Sequence, residues 1–210
     1  MLIAVDGTAA SGKGTLARHL AARLNLKHLD TGSLYRSVGL SLLRSGHSTS
    51  DVTPEVAENA AKNLDFSLAE DPAIRTVDAG TMASVVAAME PVRAALMASQ
   101  RRFAETASLD HDGAVLDGRD IGTVILPHAD HKFFVDADPR IRAERRLREL
   151  QENGTKTDLD TVLDGLITRD RRDSARDVAP LKQAEDAILV DTGAKTVEEM
   201  VAFALSVMAR

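Results

Sequence analysis

Gly7-Thr8-Ala9-Ala10-Ser11-Gly12-Lys13-Gly14-Thr15 carries the densest chemistry in the sequence. Glycines let consecutive backbone N–H groups turn inward around phosphate oxygens, and a helix that begins at the end of such a turn adds partial positive charge. Lys13 is placed to reach the β- and γ-phosphates of a nucleotide, and the Thr15 hydroxyl to help hold Mg²⁺. The motif needs a strand before it and a helix after it. Leu2–Asp6 is a short apolar run, and Leu16, Leu20 and Leu24 recur at helical spacing across 15–24.

Three further segments can complete a phosphate-transferring site. In Leu29-Asp30-Thr31-Gly32-Ser33-Leu34-Tyr35-Arg36, a strand end meets a helix start, where ligands of open α/β sheets bind. Arg36 can hold a phosphate there, although Asp30 or Thr31 can equally be a plain N-cap beside a surface arginine. In Leu116-Asp117-Gly118-Arg119-Asp120-Ile121-Gly122-Thr123, a carboxylate can accept from the exocyclic amine of cytosine and would repel a uracil carbonyl; a polar turn closed by an internal salt bridge fits equally well. The run from Arg169 to Leu181 alternates Arg169, Arg171, Arg172 and Arg176 with acids. It reads as arginines that neutralise a transferring phosphoryl group, or as a solvated helix face with i,i+3 and i,i+4 ion pairs. Arg142, Arg145 and Arg146 share a face of the helix after Pro139 and precede a polar Gly154 loop, as a water-excluding lid arginine would.

These groups require a scaffold. Apolar runs ending in Asp recur at 114–117, 132–136 and 187–191, and His28–Asp30 is a shorter candidate. Alternating with helices, they predict an α/β fold with a parallel five-stranded sheet flanked by helices. Pro54, Pro72 and Pro91 punctuate short Ala-rich segments over about 47–92, expected to be an insertion. The expected organisation is a core of about 1–46 and 93–210, that insertion, and a lid at about 148–158.

Bulk composition narrows the function. The chain has 210 residues, enough for one full core with a small subdomain. It lacks cysteine, which excludes disulfides and thiolate metal sites and fits a reducing cytoplasm. Net charge is −6 and aromatics are 3%, the opposite of a nonspecific nucleic-acid binder. Met1–Val5 is too short and unflanked to read as an export signal, and no run approaches the ~20 apolar residues that span a bilayer. His128 and His131 flank Asp130 without an evident third ligand, so a surface loop is expected there rather than a metal site.

Taken together, the GKGT form of the loop, LDTGSLYR, the Ser84–Arg93 region, LDGRDIGTV, the arginine helix, RDRRDSARDVAPL and the final ILVDTG resemble the bacterial (d)CMP kinase family, nucleoside monophosphate kinases of the P-loop class. The resemblance covers nearly the whole chain. It implies transfer of the γ-phosphoryl group of ATP, with Mg²⁺, to CMP and also dCMP by a monomeric cytoplasmic enzyme, with no nucleic-acid or membrane partner. It implies ATP binding by residues 7–15 and by Arg145 from the lid. It further implies that Thr31, Tyr35 and Arg36 line the CMP pocket, that Ser84, Arg93 and Asp120 contact cytosine, and that Arg119 holds the acceptor phosphate. Arg169, Asp173 and Arg176 would then lie near ribose and the reacting phosphates, with Lys13, Arg119, Arg145 and Arg169 as the catalytic cations. The sequence departs from the family in a brief AEDPA stretch before Ile74 and in a proline displaced by one before Arg93. Thr31 also stands where Ser is common. Kinases of UMP, AMP or a small metabolite, and a P-loop switch, are the rival readings; no N-K-x-D guanine signature is present.

Overall fold

A computed structural model of the chain describes residues 1–152 and 154–209; Asn153, within the expected lid, and Arg210 lie outside them. The elements in chain order are β1 (Leu2–Gly7), α1 (Lys13–Leu24), β2 (Lys27–Asp30), α2 (Thr31–Arg44), α3 (Pro54–Lys62), α4 (Val77–Val86), α5 (Glu90–Thr106), β3 (Ala114–Gly118), β4 (His131–Asp136), α6 (Pro139–Glu152), α7 (Leu159–Ser174), β5 (Ile188–Asp191) and α8 (Val197–Met208). The sheet order is β2-β3-β1-β4-β5. β1 runs parallel to β3 and β4, and β4 parallel to β5. The fold class is the expected α/β arrangement with the short apolar runs as strands. Central strands read as continuous apolar runs because both faces are buried: Ile3, Ala4 and Val5 of β1 and Val115 and Leu116 of β3 are all shielded from water.

By compactness the chain divides into Met1–His28 with Ala107–Arg210, and Leu29–Thr106. The core of the first unit is aliphatic apart from Phe133. Ile3, Val5, Val115, Phe133, Val135 and Val190 from strands meet Leu16 and Leu20 of α1 and Met200, Val201 and Ala204 of α8. Each of the Val, Leu, Ile, Phe and Met side chains among them contributes roughly 1.5–3 kcal/mol by leaving water. A smaller cluster joins Ala9 of the loop after β1 to Ala143 of α6 and to Val162 and Leu166 of α7. The second unit is helical, with Leu34, Val38 and Leu42 of α2 packed against Ala57 and Ala61 of α3, Met82 and Val86 of α4, and Val92 and Leu96 of α5.

Helix starts follow local chemistry. Asp30, Thr53, Thr76 and Asp158 cap α2, α3, α4 and α7 through their side chains, and Thr196 with Glu199 forms a capping box on α8. α1 is different: its cap is Gly12, left-handed at φ 91, with no side-chain bond to the helix amides. Asp130 accepts from the Leu2 amide at 2.7 Å and so anchors the start of β1. Among the described residues no three His, Cys, Asp or Glu side chains are grouped to hold a metal ion, and no single helix is long and apolar enough to cross a membrane.

Candidate active site

The loop between β1 and α1 leaves the sheet at Gly7. A Cβ there would stand 2.1 Å from the Val135 carbonyl oxygen of β4, so only glycine fits this exit. Ala10 is left-handed at φ 57 and Gly12 at φ 91, which bends the chain back so that α1 begins at Lys13. The turn is held by its surroundings. Thr8 Oγ1 donates to Asp136 Oδ1 at 2.6 Å, and Thr192 Oγ1 donates to the Ser11 carbonyl at 2.8 Å. Lys13 Nζ lies over the loop, 3.2 Å from the Thr8 carbonyl. The Ser11 hydroxyl is buried and has no protein partner. A curved run of amides, an ammonium group and an orphaned hydroxyl fit a polyphosphate chain. Thr15, the expected Mg²⁺ ligand, accepts from Arg18 Nη2 at 3.3 Å.

Arg142, Arg145 and Arg146, three of the arginines on α6, each have a different setting in the structure. Arg145 binds Thr192 twice, Nη1 to Oγ1 at 3.0 Å and Nη2 to the carbonyl at 2.6 Å, and so is one residue removed from the loop. Arg142 is buried, and Arg146 pairs with Glu149 at 3.0 Å on the surface. Spacing alone had placed all three on one face.

A second cation cluster centres on Asp173 near the end of α7. Its carboxylate accepts from Arg119 Nε at 2.9 Å and from Arg176, and Arg169 Nε stands 3.9 Å away. Burial pushes the Asp173 carboxyl up, but Arg119, Arg176 and Arg169 outweigh it and hold the group below its ordinary range. The cluster brings the segment after β3 together with the end of α7, uniting two motifs 54 positions apart in sequence. Asp120 is buried next to it, opening the π-helical turn Ile121–Ile125.

Among the remaining expected residues, Tyr35 and Arg93 meet in the second unit, the guanidinium lying 5.9 Å from the ring centroid. Arg93 is buried and donates to the Ala87 carbonyl. Arg36 packs over Gly80 and donates to the Ile74 carbonyl at 2.7 Å. Thr31 and Ser84 are buried on α2 and α4.

Of two carboxylates at strand ends, sequence reasoning gave Asp6 no role and left Asp117 as one of the two acids of its segment. Asp6 accepts from the amides of Ile121 and Gly122 at 2.8 and 2.7 Å. Its pKa is raised to about 7, because burial and, to a lesser degree, Asp120 outweigh those two amides and Arg119. Asp117 is held by His28 Nε2 at 2.7 Å and lies 3.5 Å from where a Cβ on Gly14 would be. The repeated ending of apolar runs in Asp was the available signal.

A phosphate loop closing β1, with lysine and arginine gathered at the carboxyl ends of a parallel sheet, defines a P-loop kinase. Comparison with known proteins narrows this. A profile of the cytidylate kinase family matches residues 3–210. The cytidylate kinase of Xanthobacter autotrophicus is 51% identical over 208 residues, covering 99% of this chain and 97% of that one. The cytidylate kinase of Rhodopseudomonas palustris strain BisA53 is 50% identical over 208 residues, covering 99% and 96%. The crystal structure of an uncharacterized protein from Eubacterium ventriosum shares the fold at a TM-score of 0.60 and 13% identity, covering 100% of this chain and 98% of that chain. The chain belongs to the cytidylate kinase family.

Proposed function

We propose that the chain transfers the γ-phosphoryl group of ATP to CMP, and also to dCMP, giving ADP and CDP or dCDP. Family membership over residues 3–210, joined to a phosphate loop whose buried Ser11 hydroxyl has no protein partner, carries this reading. The acceptor oxygen of a nucleoside monophosphate is already anionic, so no strong general base is required; catalysis is positioning and charge neutralisation. Residues 7–15 would cradle the ATP phosphates, with Lys13 on the β- and γ-phosphates. The Thr15 hydroxyl would hold Mg²⁺, directly or through water, and the bound ion would supply charge neutralisation. The link from Arg145 through Thr192 to the Ser11 carbonyl supports a role for Arg145 at the donor. Arg119 and Arg169 would steady the acceptor and transferring phosphates, with Asp173 and Arg176 near ribose; their shared carboxylate supports treating them as one group. Thr31, Tyr35, Arg36, Ser84 and Arg93 would serve CMP from the second unit, and Asp120 would accept from the cytosine amine. The lid at about 148–158 would exclude water from the triphosphate. A monomeric cytoplasmic enzyme completes the reading.

The test is ADP release measured across CMP, dCMP, UMP and AMP, for the native chain and Asp120→Ala. We expect CMP and dCMP to be preferred, and the CMP-to-UMP ratio of kcat/KM to fall about tenfold or more in the variant. Preference for AMP in the native chain would remove the substrate assignment. An unchanged ratio in the variant would remove that of Asp120 alone.

A further inference from the structure

Ala9, the third residue of the phosphate loop, is held on both edges of its backbone. Its N–H donates to Asp170 Oδ1 at 3.2 Å, and its carbonyl accepts from Arg142 Nη1 at 3.1 Å. The two side chains are joined to each other, Arg142 Nη1 to Asp170 Oδ2 at 2.6 Å. Arg142 is itself fixed from below, since its Nε donates to the Ala137 carbonyl at 2.9 Å and it is only 4% exposed. Asp136, at the end of β4, stands 3.7 Å from the same Nε and receives the Thr8 hydroxyl. A guanidinium and a carboxylate thus close a ring around the backbone of one residue, gripping the peptide groups on either side of its Cα. The methyl of Ala9 packs between α6 and α7, against Ala143, Val162 and Leu166.

The next residue explains why a brace is needed there. Ala10 is left-handed at φ 57, a conformation that disfavours any residue bearing a Cβ. Such a turn persists only where its neighbours over-determine it. We infer that Arg142 and Asp170 are positioning residues for the donor nucleotide: they clamp the two peptide groups that flank the Ala9 Cα, so that the loop stays bent and the amides from Ser11 to Gly14 converge on phosphate. Neither touches the reacting atoms in this account. The clamp also ties the loop to α7, where Asp173 holds Arg119, Arg169 and Arg176 one turn beyond Asp170. The inference rests on reading residues 7–15 as the ATP site.

Two mild variants of the full chain test it. In Asp170→Asn the amide oxygen can still accept from Ala9, but the NH₂ confronts the Arg142 guanidinium. In Arg142→Lys the charge remains while the planar fork is lost. For each we expect the KM for ATP to rise about tenfold, with the KM for CMP changed less than about twofold. The double variant should be no worse than the worse single, because the two groups act as a unit. Lys13→Ala, assayed by the rise in melting temperature that ADP produces, separates the two levels of the argument. If Lys13→Ala loses that rise while both clamp variants keep a native or lower KM for ATP, the clamp is wrong and the phosphate loop stands. If Lys13→Ala keeps the full rise, the reading of the loop falls instead. Equal losses toward ATP and CMP would make the pair merely structural and would overturn the inference. Asp170 is 16% exposed, so its variant remains usable if the substitution of the more buried Arg142 prevents folding.

Discussion

In the proposed reaction the loop after β1 and the Asp173 cluster would both offer positive charge to phosphate, but by opposite means. The loop would use backbone amides and one lysine, on a turn made by Ala10 and Gly12 at positive φ. The cluster uses side chains: arginines from two segments gathered on one buried carboxylate. A backbone site is robust to most side-chain changes and intolerant at the few positions where the main chain must bend or approach closely, such as Gly7 against Val135. A side-chain site depends on the anion at its hub, because buried guanidinium groups without it repel one another.

Three outcomes break or sharpen this contrast. The largest is Lys13→Ala, expected to lower kcat by about 10³-fold or more at little cost in stability, since Lys13 is the one side-chain charge in residues 7–15. Turnover near the native rate would show that the amides suffice alone. Next is Asp173→Ala, which leaves Arg119 and the buried Arg176 without their shared carboxylate. A loss of about 3 kcal/mol is expected, read as a drop in melting temperature of roughly 10 °C, with catalysis failing alongside it. Native stability would mean the arginines repartner with water, and the hub would lose its importance.

The smallest effect is in the pH dependence of stability, where two buried carboxylates, Asp173 and Asp6, lean in opposite directions. Asp173 has a lowered pKa, so its contribution is present above the ordinary carboxylate value of 3.8 and is lost as pH falls through its depressed value. Asp6, beneath the turn that carries Asp120, has its pKa raised from 3.8 to about 7. Its contribution is present below 3.8 and is lost as pH rises to about 7, because the folded state there holds a proton that the unfolded chain has released. Denaturant titrations of Asp6→Asn between these limits should flatten the native slope by on the order of 1 kcal/mol per pH unit. A slope identical to that of the native chain would show that the two amides keep Asp6 ionised.

Legibility followed the same divide. The strand, loop and helix of residues 2–24 could be read directly, because apolar run, glycine spacing and leucine periodicity are local and agree with one another. β3, β4 and β5 announced themselves as apolar runs ending in Asp for the same reason. Asp30 showed the limit of local reasoning: it does cap α2, accepting from the Ser33 amide at 3.3 Å, as its bland reading allowed. The cluster was legible only as a list of charges. Nothing in the spacing of Arg119, Arg169 and Arg176 says that one carboxylate holds them all.

What the amino-acid order determined by itself was the kind of chemistry and the elements that carry it, since phosphate cradles, caps and apolar runs are properties of short segments. Only the tertiary structure decided which charges meet. It buried Arg142 under the loop, set Arg145 on Thr192 and left Arg146 at the surface, although all three share one helix. It put Asp6 under the amides of Ile121 and Gly122 across 115 and 116 positions of chain. Spacing along a helix or strand specifies a face; what lies opposite that face depends on how the strands are ordered and how the helices pack, and long-range contacts alone supply that information.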